Sequence, residues 1–357
     1  MTISNDFLEK LLTIDFYQIL TLPFAYMLVD EMRWYFRNRL VYGFSDAMSS
    51  LSCGILTSAF VFTILPLYSF VEWMYLKFSY FKMETLSNDI NLALSILLLF
   101  LIDHSYYWGH RFCHESNLGW ACHETHHQSE DYKLTTALRN NIFQPYITLI
   151  FYLPWLMIGY PVEWFISQIS LVGAYQFWLH TERIKKLPAW FEYIFNSPSH
   201  HRVHHALNSQ YINKNYGGIF IFWDRIYGTF AEENEYPIYG TTKPIQTWNP
   251  LYCQISNFKE IVKNIIENRK FIRIWFENPS KTFLKYDSDT SSSLNVKNHT
   301  KFDCTPNLVK KISTILLLIF SGTLLLILSN NSMHYFIYTL VILLFFTVLF
   351  IIGKILD

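Results

Sequence analysis

Charge is scarce in this sequence. Asp, Glu, Lys and Arg make up 16% of 357 residues, against roughly 25% in an ordinary soluble domain. That deficit, with 51% hydrophobic and 18% aromatic residues, excludes a disordered or fibrous chain and argues against an ordinary cytosolic one. Neither sign of charge is in excess, since Lys+Arg and Asp+Glu each count 28. No basic surplus is therefore offered to phosphates, and nucleic acid is not expected as a partner. The five cysteines (Cys53, Cys113, Cys122, Cys253, Cys304) are scattered, with no C-x-x-C pair and no disulfide framework. No basic region precedes an apolar run at the N-terminus, so no cleavable signal peptide is expected. Internal repeats and a fused haem-binding domain are also missing from the pattern.

Apolar runs are what the chain has instead. A bilayer-spanning helix needs about 20 mostly apolar residues. Residues 51–76 are apolar until Glu72, with Pro66 as a kink point. Residues 90–108 are apolar through Ile102 and then take in Asp103 and His104. The runs 142–158 and 162–179 are separated only by Gly159, Tyr160 and Pro161, which predicts a tight helical hairpin. Residues 312–328 and 335–352 predict a second hairpin, and 16–29 is a shorter candidate broken by Pro23. The positive-inside rule orients the set. Arg33, Arg37 and Arg39 lie in 30–46, and most remaining Lys and Arg lie in 183–311. With both segments cytoplasmic, the intervening runs cross in pairs. The end of 90–108, the loop 111–141 and the end of 162–179 then share the cytoplasmic face.

The predicted fold is all-α: a multi-pass integral membrane helical protein with a cytoplasmic-face, histidine-rich di-metal site. Residues 1–88 form N-terminal membrane helices and 89–286 the catalytic core. A polar linker, 287–311, opens on a Ser- and Asp-rich run, and 312–357 close the chain as a transmembrane hairpin. The sequons at Asn298 and Asn330 are read as unused, the first being cytoplasmic and the second too close to the membrane.

Histidine is the residue in surplus. There are thirteen, and eleven fall between His104 and His205. His110 and His114 form H-x-x-x-H, while His123, His126 and His127 form H-x-x-H-H. His201, His204 and His205 repeat that spacing, and His180 ends the run 162–179. Residues at i, i+3 and i+4 share one helix face, so each motif presents its imidazoles together. One tetrahedral metal needs four ligands, and nine nitrogens suit two metals with positions left open. Imidazole accepts zinc, copper, iron and nickel alike. Iron is inferred, because a histidine cage at the membrane face suits oxygen chemistry on a lipid. Histidines outside these spacings (His104, His299, His334) read as ordinary surface or core residues, and His200 is redundant beside His201. A metal transporter would also use histidines, but would need polar groups within several spans.

Ligand histidines donate their second N–H to a carboxylate or a carbonyl. Asp103, Glu115, Glu124, Glu130, Asp131 and Glu182 flank the motifs. Asp103 precedes His110 by two turns, and Glu115 directly follows His114. Asp224 reads as structural. The neighbouring aromatics Tyr106, Tyr107, Trp108, Tyr175, Phe177 and Trp178 read mainly as packing and interfacial anchors.

The segments 103–115 (DHSYYWGHRFCHE), 120–139 (WACHETHHQSEDYKLTTALR), 175–182 (YQFWLHTE), 196–205 (NSPSHHRVHH) and 213–230 (NKNYGGIFIFWDRIYGTF) carry a resemblance. They resemble the fatty acid hydroxylase / sterol desaturase superfamily of membrane non-haem di-iron oxygenases, and within it the ether-lipid-cleaving branch. The likeness runs from about residue 42 to about 250. It implies two Fe ions, O2 as co-substrate and tetrahydrobiopterin as reductant, with an alkylglycerol lipid hydroxylated at its ether-bearing carbon. The hemiacetal formed would separate into a fatty aldehyde and a glycerol derivative. The superfamily's essential histidines correspond to His110, His114, His123, His126, His127, His201, His204 and His205, with His180 as a ninth, and its glutamate to Glu115. Catalytic roles are expected for Glu115 and Asp103. The alternative within the superfamily is a sterol or fatty-acyl hydroxylase or desaturase served by an electron-donor protein. Zinc can occupy such a site in place of iron. Two departures are His104, a position not usually histidine there, and a C-terminal region shorter than in animal members.

Overall fold

The computed structural model describes residues 10, 12–64, 66–81, 83, 88–268, 273–279, 301–302, 305–329 and 335–357. The polar run of the linker, His299, His334 and both sequons lie outside these residues. Within them the chain is helical, with only two isolated bridges, Phe195 to Phe220 and Ala206 to Tyr239.

Among the described residues, four helical stretches are long and apolar enough to cross a membrane: Phe44–Ile64, Ile90–Glu115, Leu308–Leu328 and Ile337–Leu356. Each has at least the 20 or so residues that a bilayer core of about 30 Å requires. They make the chain a multi-pass membrane protein. Helix α1 is Phe16–Arg37 and carries Pro23, Glu31, Arg33 and Arg37. The expected run 51–76 is redrawn. Helix α2, Phe44–Ala59, passes into a π-turn at Phe60–Ile64, and α3, Leu67–Phe78, starts afresh after Pro66. Proline has no N–H to continue the ladder and disfavours helix before it, so the break falls there. The span begins earlier than expected because Ser45, Asp46, Ser49, Ser50 and Ser52 face protein, not lipid, and are buried.

Helix α4, Asn88–Glu115, carries the first histidines at its polar end. It stops at Ser116, whose Oγ accepts from Gly119 N (3.0 Å) and caps α5, Asn117–His127. Such a cap stabilises a helix start by about 1 kcal/mol. Gly119 allows the return: a Cβ there would stand 2.6 Å from Cys113 Cα. A short 3-10 turn follows at Leu134–Leu138.

The predicted hairpin is present as α6, Gln144–Ile158, and α7, Val162–Leu179. Gly159 turns it at φ +120°, in the left-handed region that favours glycine, and Phe81 O packs where a Cβ would go. At 15 residues α6 is short for a full span. The remaining elements are α8 (Ala189–Ile194), α9 (Pro198–His204), α10 (Phe222–Tyr227), α11 (Pro250–Asn268) and α12 (Arg273–Phe276). The C-terminal hairpin is α13, Leu308–Leu328, against α14, Tyr335–Leu356.

The two largest apolar clusters among the described residues hold these helices together. One joins α4, α6 and α7 through Leu98, Ile102, Leu156 and Phe165; the other joins α2, α13 and α14 through Leu56, Leu324, Phe345 and Leu349. Buried carboxylates tie the loops to this frame. Asp46 Oδ2 accepts from Ser129 Oγ (2.7 Å), Glu130 N (3.1 Å) and Asp131 N (3.1 Å). Glu31 accepts from Leu134 N and Thr181 Oγ1, both at 2.8 Å. The loop that follows His127 and the end of α7, capped by His180, are thereby fixed relative to each other.

Candidate metal centre

The nine histidines gather into two groups. His110, His114, His123, His127 and His204 form one, and His126, His180, His201 and His205 the other. Within each, one nitrogen per ring lies within 4.8 Å of all the others. Each H-x-x-H-H motif is divided between them. On α5, His123 and His127 face the first group and His126 the second; on α9 and its cap, His201 and His205 face the second and His204 the first. Successive residues on a helix rotate by about 100°, so i+4 lies about 40° to one side of i and i+3 about 60° to the other. The i, i+4 pairs stay together and the i+3 residue serves the neighbouring group.

Carbonyl oxygens set the ring orientations. Nδ1–H donates to Tyr216 O from His110 (2.9 Å), to Arg139 O from His126 (3.1 Å), to Gln176 O from His180 (2.8 Å) and to Lys214 O from His204 (3.0 Å). A carbonyl only accepts, so these Nδ1 atoms carry the proton and each Nε2 presents a lone pair. The Nε2 atoms of His110, His126 and His180 meet other imidazole nitrogens. His110 and His127 each approach His123 Nε2 at 3.1 Å, and His180 Nε2 lies 3.2 Å from His126 and 3.1 Å from His201. Two ligands about 2.0–2.1 Å from one metal stand about 2.9–3.4 Å apart at octahedral to tetrahedral angles.

The donor set fits a metal on a second ground. The Nε2 atoms of His114, His204 and His205 are buried with no hydrogen-bond partner. Leaving three such groups bare would cost about 3–9 kcal/mol, a large part of a domain's stability of about 5–15 kcal/mol. Protonation does not rescue them. Burial, followed by the adjacent imidazoles, holds His126, His127, His201 and His205 well below the usual histidine range. Burial likewise pulls His123 and His180 down to about 4 and His204 to about 3. Neutral, buried imidazoles with converging lone pairs are what a divalent metal ion requires.

The carboxylates lie elsewhere than beside the rings. Asp103 accepts from Ile219 N (2.6 Å), Phe220 N (3.1 Å) and Trp223 Nε1 (3.0 Å), holding the loop before α10. Glu115 pairs with Arg111 Nε at 2.9 Å on a half-exposed face. From there a chain runs inward. Arg111 Nη1 donates to Tyr107 OH (3.3 Å), Tyr107 to Thr229 Oγ1 (2.9 Å) and Thr229 to Asp224 Oδ1 (2.6 Å). Asp224 in turn accepts from Tyr216 N (2.8 Å) and Gly217 N (2.7 Å), which sets the carbonyl that His110 uses. Glu130 and Asp131 accept from Phe302 N and Lys301, and Glu182 from Tyr236 and Tyr239.

His200 stands outside both groups against Phe230, and His104 bonds Tyr227 OH at 2.8 Å. Sequence reasoning did not find the four carbonyls, which have no residue-type signature. One signal was available: Asn213 and Asn215 both hold positive φ (60° and 56°), turning the loop so that Lys214 O and Tyr216 O reach the rings. Asparagine tolerates that conformation better than most residues.

A cavity of about 490 Å³ reaches the histidines His114, His127, His204 and His205. Its lining also includes Trp120, Glu124, Thr241 and Asn257, beside apolar Leu207, Ile212 and Ile245.

Comparison with known proteins places this arrangement. The family model described as fatty acid hydroxylase matches residues 95–229. The alkylglycerol monooxygenase of Xenopus tropicalis is 40% identical over 251 residues, 68% of this chain and 54% of the relative. That of Homo sapiens is 48% identical over 160 residues, 45% of this chain and 36% of the relative. The lathosterol oxidase of Rattus norvegicus is 29% identical over 154 residues, 41% of this chain and 48% of the relative. The chain thus spans about half or less of the length of these curated relatives. No solved structure matches it. Because the family model falls on the segment that builds both histidine groups, the chain carries a fatty acid hydroxylase domain at residues 95–229.

Proposed function

We infer that the chain is a membrane monooxygenase that hydroxylates the ether-bearing carbon of alkylglycerol lipids. One oxygen atom of O2 enters the C–H bond, and the other leaves as water with two electrons and two protons from a reductant. The hemiacetal then separates into a fatty aldehyde and a glycerol derivative. The observation that carries this reading is the division of nine neutral histidines into two adjoining groups, in a chain 40% identical to an alkylglycerol monooxygenase.

Two iron ions bound there would supply the activation of O2. His110, His114, His123, His127 and His204 would hold one, and His126, His180, His201 and His205 the other. The chain's own residues do the rest. The carbonyls of Tyr216, Arg139, Gln176 and Lys214 keep each Nε2 aimed inward. Burial of the rings keeps them neutral and excludes bulk water. Asp103 and Glu115 act as positioning residues, the first on the 219–223 loop and the second through Arg111, Tyr107, Thr229 and Asp224.

The reductant in this reading is tetrahydrobiopterin. Residues 89–286 are the catalytic core. The site faces the cytoplasm, on the endoplasmic reticulum membrane of a eukaryote or the inner membrane of a bacterium. The likeness to lathosterol oxidase supports a second reading: a sterol or fatty-acyl hydroxylase or desaturase with a protein electron donor. Fatty aldehyde release from a labelled 1-O-alkylglycerol decides between them. Purified protein with ferrous iron, O2 and tetrahydrobiopterin should release aldehyde. No aldehyde from protein shown to hold two irons would favour the second reading.

A further inference from the structure

Helix α11 is apolar on the side where a helix bordering water is polar. Its inner side buries Gln254, Ser256 and Asn257 together with Ile261 and Ile265. Its outer side leaves Ile255 41%, Val262 48% and Ile266 72% exposed. Tyr252, also exposed, extends this row to about 21 Å of helix. An open groove of about 440 Å³ follows the row and is lined by Ile255, Phe258, Lys259, Val262, Lys263 and Ile266. Lys259 and Lys263, one turn apart and exposed, have no ion pair among the described residues. Glu260 between them is paired with Lys243 at 3.0 Å. The outer face is thus apolar with a positive rim.

The helix starts at the edge of the bilayer. Asp357, after the last turn of α14, accepts from Thr247 Oγ1 (2.6 Å) and Trp248 N (2.7 Å), and Asn249 packs against Gly353. Near the opposite end of α14, Tyr338 OH donates to Thr63 O (3.0 Å), so α14 ends level with the start of α2, where Asp46 holds the loop after His127. Phe143, which caps α6, meets the ring of Phe258 edge-on at 5.5 Å. The row therefore begins where the exposed side chains Phe350 and Ile351 of α14 end. Lipid is the nearest apolar phase, and an apolar face with flanking lysines suits its boundary. We propose that α11 lies in the headgroup layer of the bilayer on the histidine side, with its apolar row immersed and Lys259 and Lys263 on the phosphates of anionic phospholipids. Ser256 and Asn257 on its inner side line the cavity that reaches His114 and His127, so the helix stands between that cavity and the leaflet.

The test places a fluorophore at Val262→Cys or Ile266→Cys in the full chain, held in nanodiscs of phosphatidylcholine and phosphatidylserine. Cys304→Ser serves as the background, because Cys53, Cys113, Cys122 and Cys253 are buried. Both labelled positions are exposed, and an unchanged unfolding temperature confirms that the fold accepts the label. Spin labels carried on lipid should quench either fluorophore, and aqueous iodide should spare it. A label at Ser209→Cys, on an exposed polar loop, should respond in the opposite way. Quenching of the α11 labels by iodide and not by lipid would put the row in water and overturn the proposal. Protection from both quenchers would mean that protein covers the row, a second copy of the chain included, and would overturn it as well. With both lysines present, quencher on phosphatidylserine should be about fivefold enriched at the label over quencher on phosphatidylcholine, the attraction expected of one lysine. Lys259→Gln with Lys263→Gln should bring the two lipids to parity. Parity before that change would overturn the headgroup assignment.

Discussion

The carbonyl of Tyr216 lies 2.9 Å from Nδ1 of His110 and decides which nitrogen of that ring faces the other histidines. Asp224 holds Tyr216 in place by its amide. A side chain whose own hydrogen bonds go to Tyr216 N, Gly217 N and Thr229 thus helps to set the tautomer of His110.

Asp224→Ala removes the acceptor of Tyr216 N, Gly217 N and Thr229 Oγ1. Each buried donor left bare costs about 1–3 kcal/mol. The loop should relax, and the five-histidine group should lose its ion first. Metal analysis of the purified variant should find about one ion per chain in place of two. Full occupancy would mean that the loop does not depend on this carboxylate.

His126 belongs to the four-histidine group, whereas His104 belongs to neither. His126→Ala should abolish turnover and remove one ion, with the protein still inserted in the membrane. His104→Ala, which loses a contact to Tyr227, should keep most of its activity. An active His126→Ala protein would sink the assignment of these ligands.

Gly119→Val should separate α4 from α5, because Phe112 O and Cys113 Cα occupy the space that a side chain needs. His110 and His114 sit on one of these helices, and His123 and His127 on the other. Overpacking of this kind costs about 1–3 kcal/mol. A lowered unfolding temperature together with reduced metal content is expected, and an unchanged pair of values would contradict the close crossing.

Acid should strip the site. In the folded chain His123 and His180 are pulled down to about 4 and His204 to about 3 by burial, whereas an unfolded histidine titrates near 6.5. Between these values the unfolded chain binds more protons, so stability rises with pH across that window. It is fully present above about 6.5 and lost as pH falls towards 4. Bound metal acts in the same direction, since only the neutral ring is a ligand. Thermal unfolding and metal retention, followed from pH 7.5 to pH 5, should both decline. Flat profiles would show that the buried rings are not held neutral.

Much of this was legible beforehand, for identifiable reasons. The histidine spacings could be read because a helix imposes its period on any ligand set it carries. The C-terminal hairpin could be read because lipid-facing helices need an apolar surface all round. The run 51–76 was misjudged at both ends. Polar Ser45, Asp46, Ser49 and Ser50 masked its start, since buried polar groups look like solvent-facing ones, and Pro66 broke its end. The partners of Asp103 were illegible, because Ile219, Phe220 and Trp223 lie more than 100 residues along the chain and two of them offer only backbone N–H groups.

The sequence by itself determined which residues are able to bind metal and which segments can lie in lipid. Side-chain chemistry and helical period decide both. It also contained the direction in which each H-x-x-H-H motif divides, since i+3 and i+4 fall on opposite sides of i. Only the tertiary structure decided that His204 joins His110 and His114 while His201 and His205 join His126 and His180. It alone supplied the carbonyls of Tyr216, Arg139, Gln176 and Lys214. Those choices depend on how helices distant in sequence cross, and a backbone carbonyl is the same group in every residue.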